Sequence, residues 1–146
     1  MSLPRKNTNS WVSLLFRLLI YYAVKDHMEK KKPFEYNMDE SVFGERETKE
    51  EEIQIEGNKY KGEVKTGTLT PHGRGKLTWS SGIWAGATYE GYFKDGKQDG
   101  KGLVIWANGN YYEGDWVENK RTGRGVLFMA GTEIPGRFKD GNYIGQ

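Results

Sequence analysis

The 146-residue sequence contains no cysteine. That removes disulfides, thiolate metal centres and cysteine nucleophiles together, and it leaves the redox compartment open. Histidine is nearly as scarce: His27 sits in a charged stretch and His72 stands directly before Gly73. No Ser-His-Asp grouping, metal-ligand cluster or phosphate loop emerges around them. A dominant charge is missing too. Lys and Arg number 22 against 20 Asp and Glu, a net charge of +2, which is too mild to mark a nucleic-acid-binding chain. No uninterrupted apolar run reaches the roughly 20 residues that a membrane-crossing helix requires.

What the sequence does have is glycine, 20 residues of it, and 14% aromatics. Both are arranged periodically. Tyr89-Glu90-Gly91 returns 23 residues later as Tyr112-Glu113-Gly114, and Gly100-Lys101-Gly102 returns at the same step as Gly123-Arg124-Gly125. An earlier unit starts at Tyr60-Lys61-Gly62, carries Gly73-Arg74-Gly75, and holds extra residues around Pro71 and near Trp84-Ala85-Gly86-Ala87. A fourth unit opens at Ile134-Pro135-Gly136 with Phe138 and Gly141, and Ile53–Asn58 reads like half a unit before the first. Each unit predicts a β-hairpin. Tyr89 to Phe93 alternates and is aromatic-rich, Asp95-Gly96 and Asp99-Gly100 supply turn chemistry, and Gly102 to Trp106 makes a second strand. One hairpin is marginal alone, so several must bury one another's aromatic side chains.

These units resemble MORN repeats, whose pattern runs Tyr-x-Gly-x-Trp-x-x-Gly-x-x-x-Gly-x-Gly. Tyr112-Glu113-Gly114-Asp115-Trp116 matches its first half, and Tyr89–Gly96 matches with Phe in the Trp position. Asn119 in place of a turn glycine and Val64 in place of the strand aromatic depart from it. The resemblance covers about residues 53–146 and implies a mainly β fold: an elongated sheet of stacked antiparallel hairpins. Units are expected near 60–88, 89–111, 112–133 and, in part, 134–146. Tyr60, Tyr89, Tyr112, Trp116 and Phe138 are the expected stacking residues of the repeat. The resemblance also implies a protein without catalytic activity or cofactor, because such repeats occur in scaffolds, membrane-junction proteins and axonemal components, or beside catalytic domains that this chain lacks.

Strand alternation places Tyr112, Gly114 and Trp116 on one face. The other face carries Leu103 and Ile105 in one unit and Val126 and Phe128 in the next. A sheet wetted on one side would show polar residues there. Those four residues, with Tyr92 among them, are therefore expected to be covered, by a partner protein, by the N-terminal segment or by the connector around Phe34 and Tyr36. Arg74, Lys101 and Arg124 lie between the paired glycines, and Lys97, Lys120 and Arg121 lie just before them. In register they predict a basic edge suited to an acidic partner or anionic lipid, diluted by Asp95, Asp99 and Glu118. Recurrent carboxylates such as Glu90 and Glu113 suit cross-strand pairing better than acid–base work.

The first part of the chain differs. Ser10 is a good N-cap, and the stretch "SWVSLLFRLLIYYAV" after it predicts a helix to about Lys32, where Pro33 stops it. Trp11, Leu14, Leu15, Leu18 and Tyr22 share one face, with Ser13 and Arg17 marking a narrow polar stripe. The apolar stretch from Trp11 to Val24 is about 21 Å long at 1.5 Å per residue. Three readings are open: a docking or interfacial helix, a short span beside partner helices, or a targeting segment of mitochondrial character, given Arg5, Lys6 and Arg17 and no acidic residue before Asp26. Residues 1–32 thus form an anchor, 33–52 a charged connector and 53–146 the repeat array. The leading expectation is an accessory subunit of a membrane-associated complex, with the mitochondrial inner membrane as its location and other protein subunits as its partners. A soluble cytoplasmic or axonemal (ciliary) scaffold and a phosphoinositide-binding module are the alternatives. Nucleic acid is not an expected partner.

Overall fold

The computed structural model describes residues 10–30 and 48–146. The chain forms two units, residues 1–35 and 36–146. The first contains α1, Ser10–Lys30. Its leucines and long charged residues are good helix formers.

The second unit is a sheet of nine strands: β1 Thr48–Ile55, β2 Asn58–Lys65, β3 Pro71–Thr78, β4 Thr88–Lys94, β5 Lys97–Ile105, β6 Tyr111–Val117, β7 Lys120–Met129, β8 Thr132–Lys139 and β9 Asn142–Gly145. They lie in sequence order, each antiparallel to the next. The expected hairpin array is this sheet. Five of its connections are two-residue turns with positive φ at both central residues: Glu56-Gly57, Asp95-Gly96, Glu118-Asn119, Ala130-Gly131 and Asp140-Gly141. That turn matches the natural twist of the strands it joins. Asn119 takes the glycine's place at φ 68°, since asparagine tolerates the left-handed region better than other side chains do.

A line of glycines crosses the sheet at one level. Gly62 pairs with Gly75, Gly75 with Gly91, Gly91 with Gly102, Gly102 with Gly114, Gly114 with Gly125 and Gly125 with Gly136. The missing side chains leave a channel on one face, and the repeat tyrosines fill it. Tyr60, Tyr89 and Tyr112 are each 0% exposed. Phe93, Trp116 and Phe138 wedge between them edge to face, with ring centroids 4.8–5.4 Å apart. Val64, in an aromatic position of the repeat, is fully buried in the same core, and Val104 lies there too.

The array starts earlier than the sequence pattern indicates. β1 opens at Thr48, so residues 48–52 are strand and not connector. Pairing explains this: Glu52 faces Lys61 across the β1–β2 pair, Lys59 pairs with Glu52 at 2.7 Å, and Lys49 pairs with Glu51 at 2.7 Å. Opposite charges across two strands hold in a sheet what would repel as an isolated acidic run. Residues 33–47 of the expected connector, Phe34 and Tyr36 included, lie outside the described residues. The extra residues of the first unit make a loop that contains a single 3-10 turn, Gly82–Trp84, closed by Gly86 N–H donating to the Trp79 carbonyl at 2.8 Å. It is the one helical turn within the described array.

Candidate interaction surfaces

The aromatic face is built from one repeated device. The Tyr60 hydroxyl donates to the Glu63 carbonyl at 2.6 Å, Tyr89 to Tyr92 at 2.9 Å and Tyr112 to Asp115 at 3.1 Å. Each accepting carbonyl lies at or beside a β-bulge that follows the strand glycine, where the ladder leaves backbone groups without a strand partner. Burial of these hydroxyls pushes their pKa values well above the usual tyrosine range. They are structural groups, closed to proton transfer near neutrality.

The turns lock successive hairpins together. Gly96 N–H donates to the Pro71 carbonyl at 2.9 Å and Asn119 N–H to the Gln98 carbonyl at 2.9 Å. Gly141 N–H donates to the Arg121 carbonyl at 3.0 Å. His72 joins this set: its Nδ1 accepts from Asp95 N–H at 3.2 Å, as the Asp99 carboxylate accepts from Glu118 N–H at 3.2 Å one unit later. His72 thus lies in β3 and braces the Asp95-Gly96 turn of the next hairpin through its side chain. Among the described residues no group of His, Asp and Glu could hold a metal ion.

On the opposite face, Ile105 lies across from Tyr111, and Tyr111 from Phe128. The Tyr111 and Phe128 rings stack 5.0 Å apart and nearly parallel, and the Tyr111 hydroxyl donates to Glu133 at 2.8 Å. Ile105 and Tyr111 are buried, while Leu103, Val126 and Phe128 are half-buried. Leu103 and Val126 flank the exposed Glu113 in the row next to Ile105, Tyr111 and Phe128. Tyr92 shares their face but turns away from them, accepting from Arg74 Nε at 2.9 Å.

The expected basic edge divides. Arg74, Lys101 and Arg124 occupy matching positions on the face away from the tyrosines, opposite Tyr92, Asp115 and Arg137. Lys101 is ion-paired with Asp115, Lys97 lies 3.6 Å from Glu118, and the Arg74 guanidinium rests over the Tyr92 ring. Lys120 opens β7 and is exposed. Arg121 does not belong with them. The turn is Glu118-Asn119, so Arg121 already lies in β7 opposite Trp116, and alternation puts it on the aromatic face.

There Arg121 covers Tyr112. Its guanidinium lies 5.5 Å from the centre of the Tyr112 ring, 5.6 Å from Phe138 and 5.9 Å from Trp106, and it donates to the Gly141 carbonyl. Trp106 in turn stacks on Trp84 at 6.5 Å, and Trp84 meets Trp79 at 6.4 Å. In the sequence Trp106 ends a strand and Trp84 lies among the extra residues of the first unit, and neither stands out as a site. The signal that finds them is the insertion itself, which carries a tryptophan between two strand-end tryptophans.

On α1, Leu15, Phe16, Leu18, Leu19 and Tyr22 are exposed and Tyr21 is buried. At 100° per residue, Leu15, Leu18, Leu19 and Tyr22 fall in one stripe. The side chains of Trp11 and Leu14 lie outside the described residues. Among the described residues no helix is long and apolar enough to cross a membrane.

The family model for the MORN repeat matches residues 70–83, 89–111 and 112–131. These residues carry MORN repeats. Similarity also extends to alsin from human, mouse and rat, at 38% identity over 76 residues. That match takes in 48% of this chain but 4% of alsin, so the chain spans only a small part of these relatives. The MORN repeat is a non-enzymatic module that typically mediates interactions with proteins or membranes.

Proposed function

We propose that this protein is a non-catalytic scaffold, an accessory subunit of a larger membrane-associated assembly in which α1 docks and the repeat sheet holds protein partners. The observation that carries this reading is the stripe of Leu15, Leu18, Leu19 and Tyr22 exposed along α1. Four large apolar side chains on one helical face are stabilised by covering them, at about 1.5–3 kcal/mol for each one fully buried. A helix lying at a membrane interface or against a partner subunit fits its short apolar stretch, Trp11 to Val24, better than a lone crossing does. The mitochondrial inner membrane is the location we favour, from the basic, acid-free start of the chain.

Alkaline carbonate extraction of native membranes tests the reading. The protein should stay in the membrane fraction and co-purify with other subunits, and Leu15→Glu with Leu19→Glu should release it without lowering the melting temperature of the array. Quantitative extraction of the wild-type protein by carbonate would favour the soluble axonemal or cytoskeletal scaffold. The phosphoinositide reading has less support, because Lys101 and Lys97 already face carboxylates and Arg121 lies on the other face. Loss of liposome binding on neutralising Arg74, Lys101 and Arg124 would favour it.

A further inference from the structure

Among the described residues, the aromatic face holds one cation without a matching anion. Arg121 is half-buried, and burial holds its pKa below the usual arginine value. Among the described residues no carboxylate pairs with it; its contacts are three rings and one carbonyl. The positions equivalent to Arg121 in the neighbouring units are Gln98, across from Phe93, and Tyr143, across from Phe138. Both are uncharged, so the repeat does not require a cation here. A desolvated charge gains most from a direct, charge-assisted partner, and a guanidinium favours a carboxylate that it can grip with two parallel bonds.

Beside this cation runs an apolar shelf. Trp106 touches both Arg121 and Trp84, and Trp84 leads on to Trp79. The 3-10 turn that delivers Trp84 leaves that ring 47% exposed and Ile83 94% exposed. These residues belong to the insertion of the first unit, so the shelf is a feature of this chain and not of each repeat. Half-exposed tryptophans beside an arginine have the makeup of an interface centre.

We propose that Trp84, Trp106 and Arg121 form a binding site for an acidic segment of a protein partner, one that lays a large apolar side chain on Trp84 and Ile83 and a carboxylate on Arg121. The charge selects the occupant: an apolar ligand alone leaves the guanidinium unpaired, and a basic one is repelled. The proposal rests on the scaffold reading and names the chemistry of one partner.

The test pans random dodecapeptides against the full chain and titrates the selected peptides, dye-labelled, by fluorescence anisotropy. Enriched peptides should carry Asp or Glu within a few residues of a large apolar side chain. Arg121→Gln should weaken them by about tenfold or more, and so should replacing the peptide carboxylate by its amide. The two losses should not add, as a double-mutant cycle requires of a direct pair. Trp84→Ala, on an exposed turn, supplies a second variant and should weaken binding too. Glutamine already stands at the equivalent position 98, so Arg121→Gln should fold, which its melting temperature checks. Peptides without a carboxylate, no enrichment at all, or binding indifferent to both variants would overturn the site. So would Arg121-dependent binding to phosphatidylcholine–phosphatidylserine vesicles with none to peptides, which would give the cation to lipid. The Leu15→Glu, Leu19→Glu protein run in parallel should bind peptide normally, so failure of the anchor and failure of this site read out separately.

Discussion

The Tyr89 ring lies against the Cα of Gly102 so closely that a Cβ there would come within 2.3 Å of the tyrosine hydroxyl and 2.4 Å of the ring edge. Gly102 has no positive φ, so its requirement for glycine is purely steric. Gly102→Ala should therefore cost about 1–3 kcal/mol through overpacking, and more if the ring cannot shift. Gly131→Ala makes the contrast. A Cβ there meets nothing, but φ is +80°, so its cost of about 1 kcal/mol is backbone strain. Urea unfolding of the two variants should rank Gly102→Ala as the more damaging; the reverse order would contradict the glycine channel.

The buried hydroxyl of the same tyrosine makes one bond, to the Tyr92 carbonyl beside the bulge. Tyr89→Phe keeps the ring and strands that carbonyl, at about 1 kcal/mol. Tyr89→Ala opens the channel and should cost about 3–5 kcal/mol. Equal losses from the two variants, measured by chemical denaturation, would mean that the ring contributes little.

The repeat period, the tyrosines and the paired glycines were legible in the sequence because they answer to one constraint: a ring lying flat on two strands needs glycine under it in both. The Asp95-Gly96 turn was legible from its glycine, which supplies positive φ, but Asp99-Gly100, which reads as a turn in the sequence, lies inside β5 opposite Trp116. The face on which Arg121 lies was not legible. Its place depends on which residues form the turn, and Glu118-Asn119 hides that by lacking glycine. The start of β1 was hidden too, because "TKEEE" reads as a solvated run until Lys59 and Lys61 of β2 are set across from it. The tryptophan shelf needs three dimensions: Trp79 and Trp106 end strands that are not neighbours, and only the 3-10 turn carries Trp84 between them.

Asn119 offers a clean separation of turn geometry from bonding. Its side-chain oxygen accepts from Gln98 N–H at 2.8 Å while its backbone sits at φ 68°. Asn119→Gly keeps the conformation and loses the bond, and should cost about 0.5–1.5 kcal/mol. Asn119→Ala loses the bond and adds left-handed strain, for a further 1 kcal/mol or so. Thermal melts that place both variants level would show that the bond, not the conformation, explains asparagine here.

Alkaline pH should unfold the array before it ionises the core. Tyr60, Tyr89, Tyr111 and Tyr112 all have pKa values raised above the usual 10.0, with burial the largest cause in each. A raised folded-state value means that the unfolded chain releases these protons first. Their contribution to stability is therefore full below about pH 10 and is lost as pH rises beyond it. The melting temperature should stay level through neutral pH and fall above pH 10. Tyrosinate absorbance from these four residues should then appear together with loss of the β-sheet signal. Ionisation of all nine tyrosines in a still-folded sheet would refute the burial assigned to them.

The face away from the tyrosines gives the last prediction. Ile105 is buried at 3% exposure, and Phe128 is only half-buried, stacked on Tyr111. Removing a buried isoleucine leaves a cavity, so Ile105→Ala should cost about 2–5 kcal/mol in the isolated protein. Phe128→Ala forfeits one aromatic stack and part of its buried area, for a smaller loss of about 1–2 kcal/mol. Both are to be measured twice, as melting of the purified chain and as recovery in the native assembly. If Phe128, Val126 and Leu103 are the exposed margin of a docking patch, Phe128→Ala should reduce co-purification of partners by more than its small effect on melting explains. Ile105→Ala should reduce both in proportion. A Phe128→Ala protein that melts slightly lower but assembles at wild-type levels would leave that face a structural one, and the case for docking would then rest on α1 and the tryptophan shelf alone.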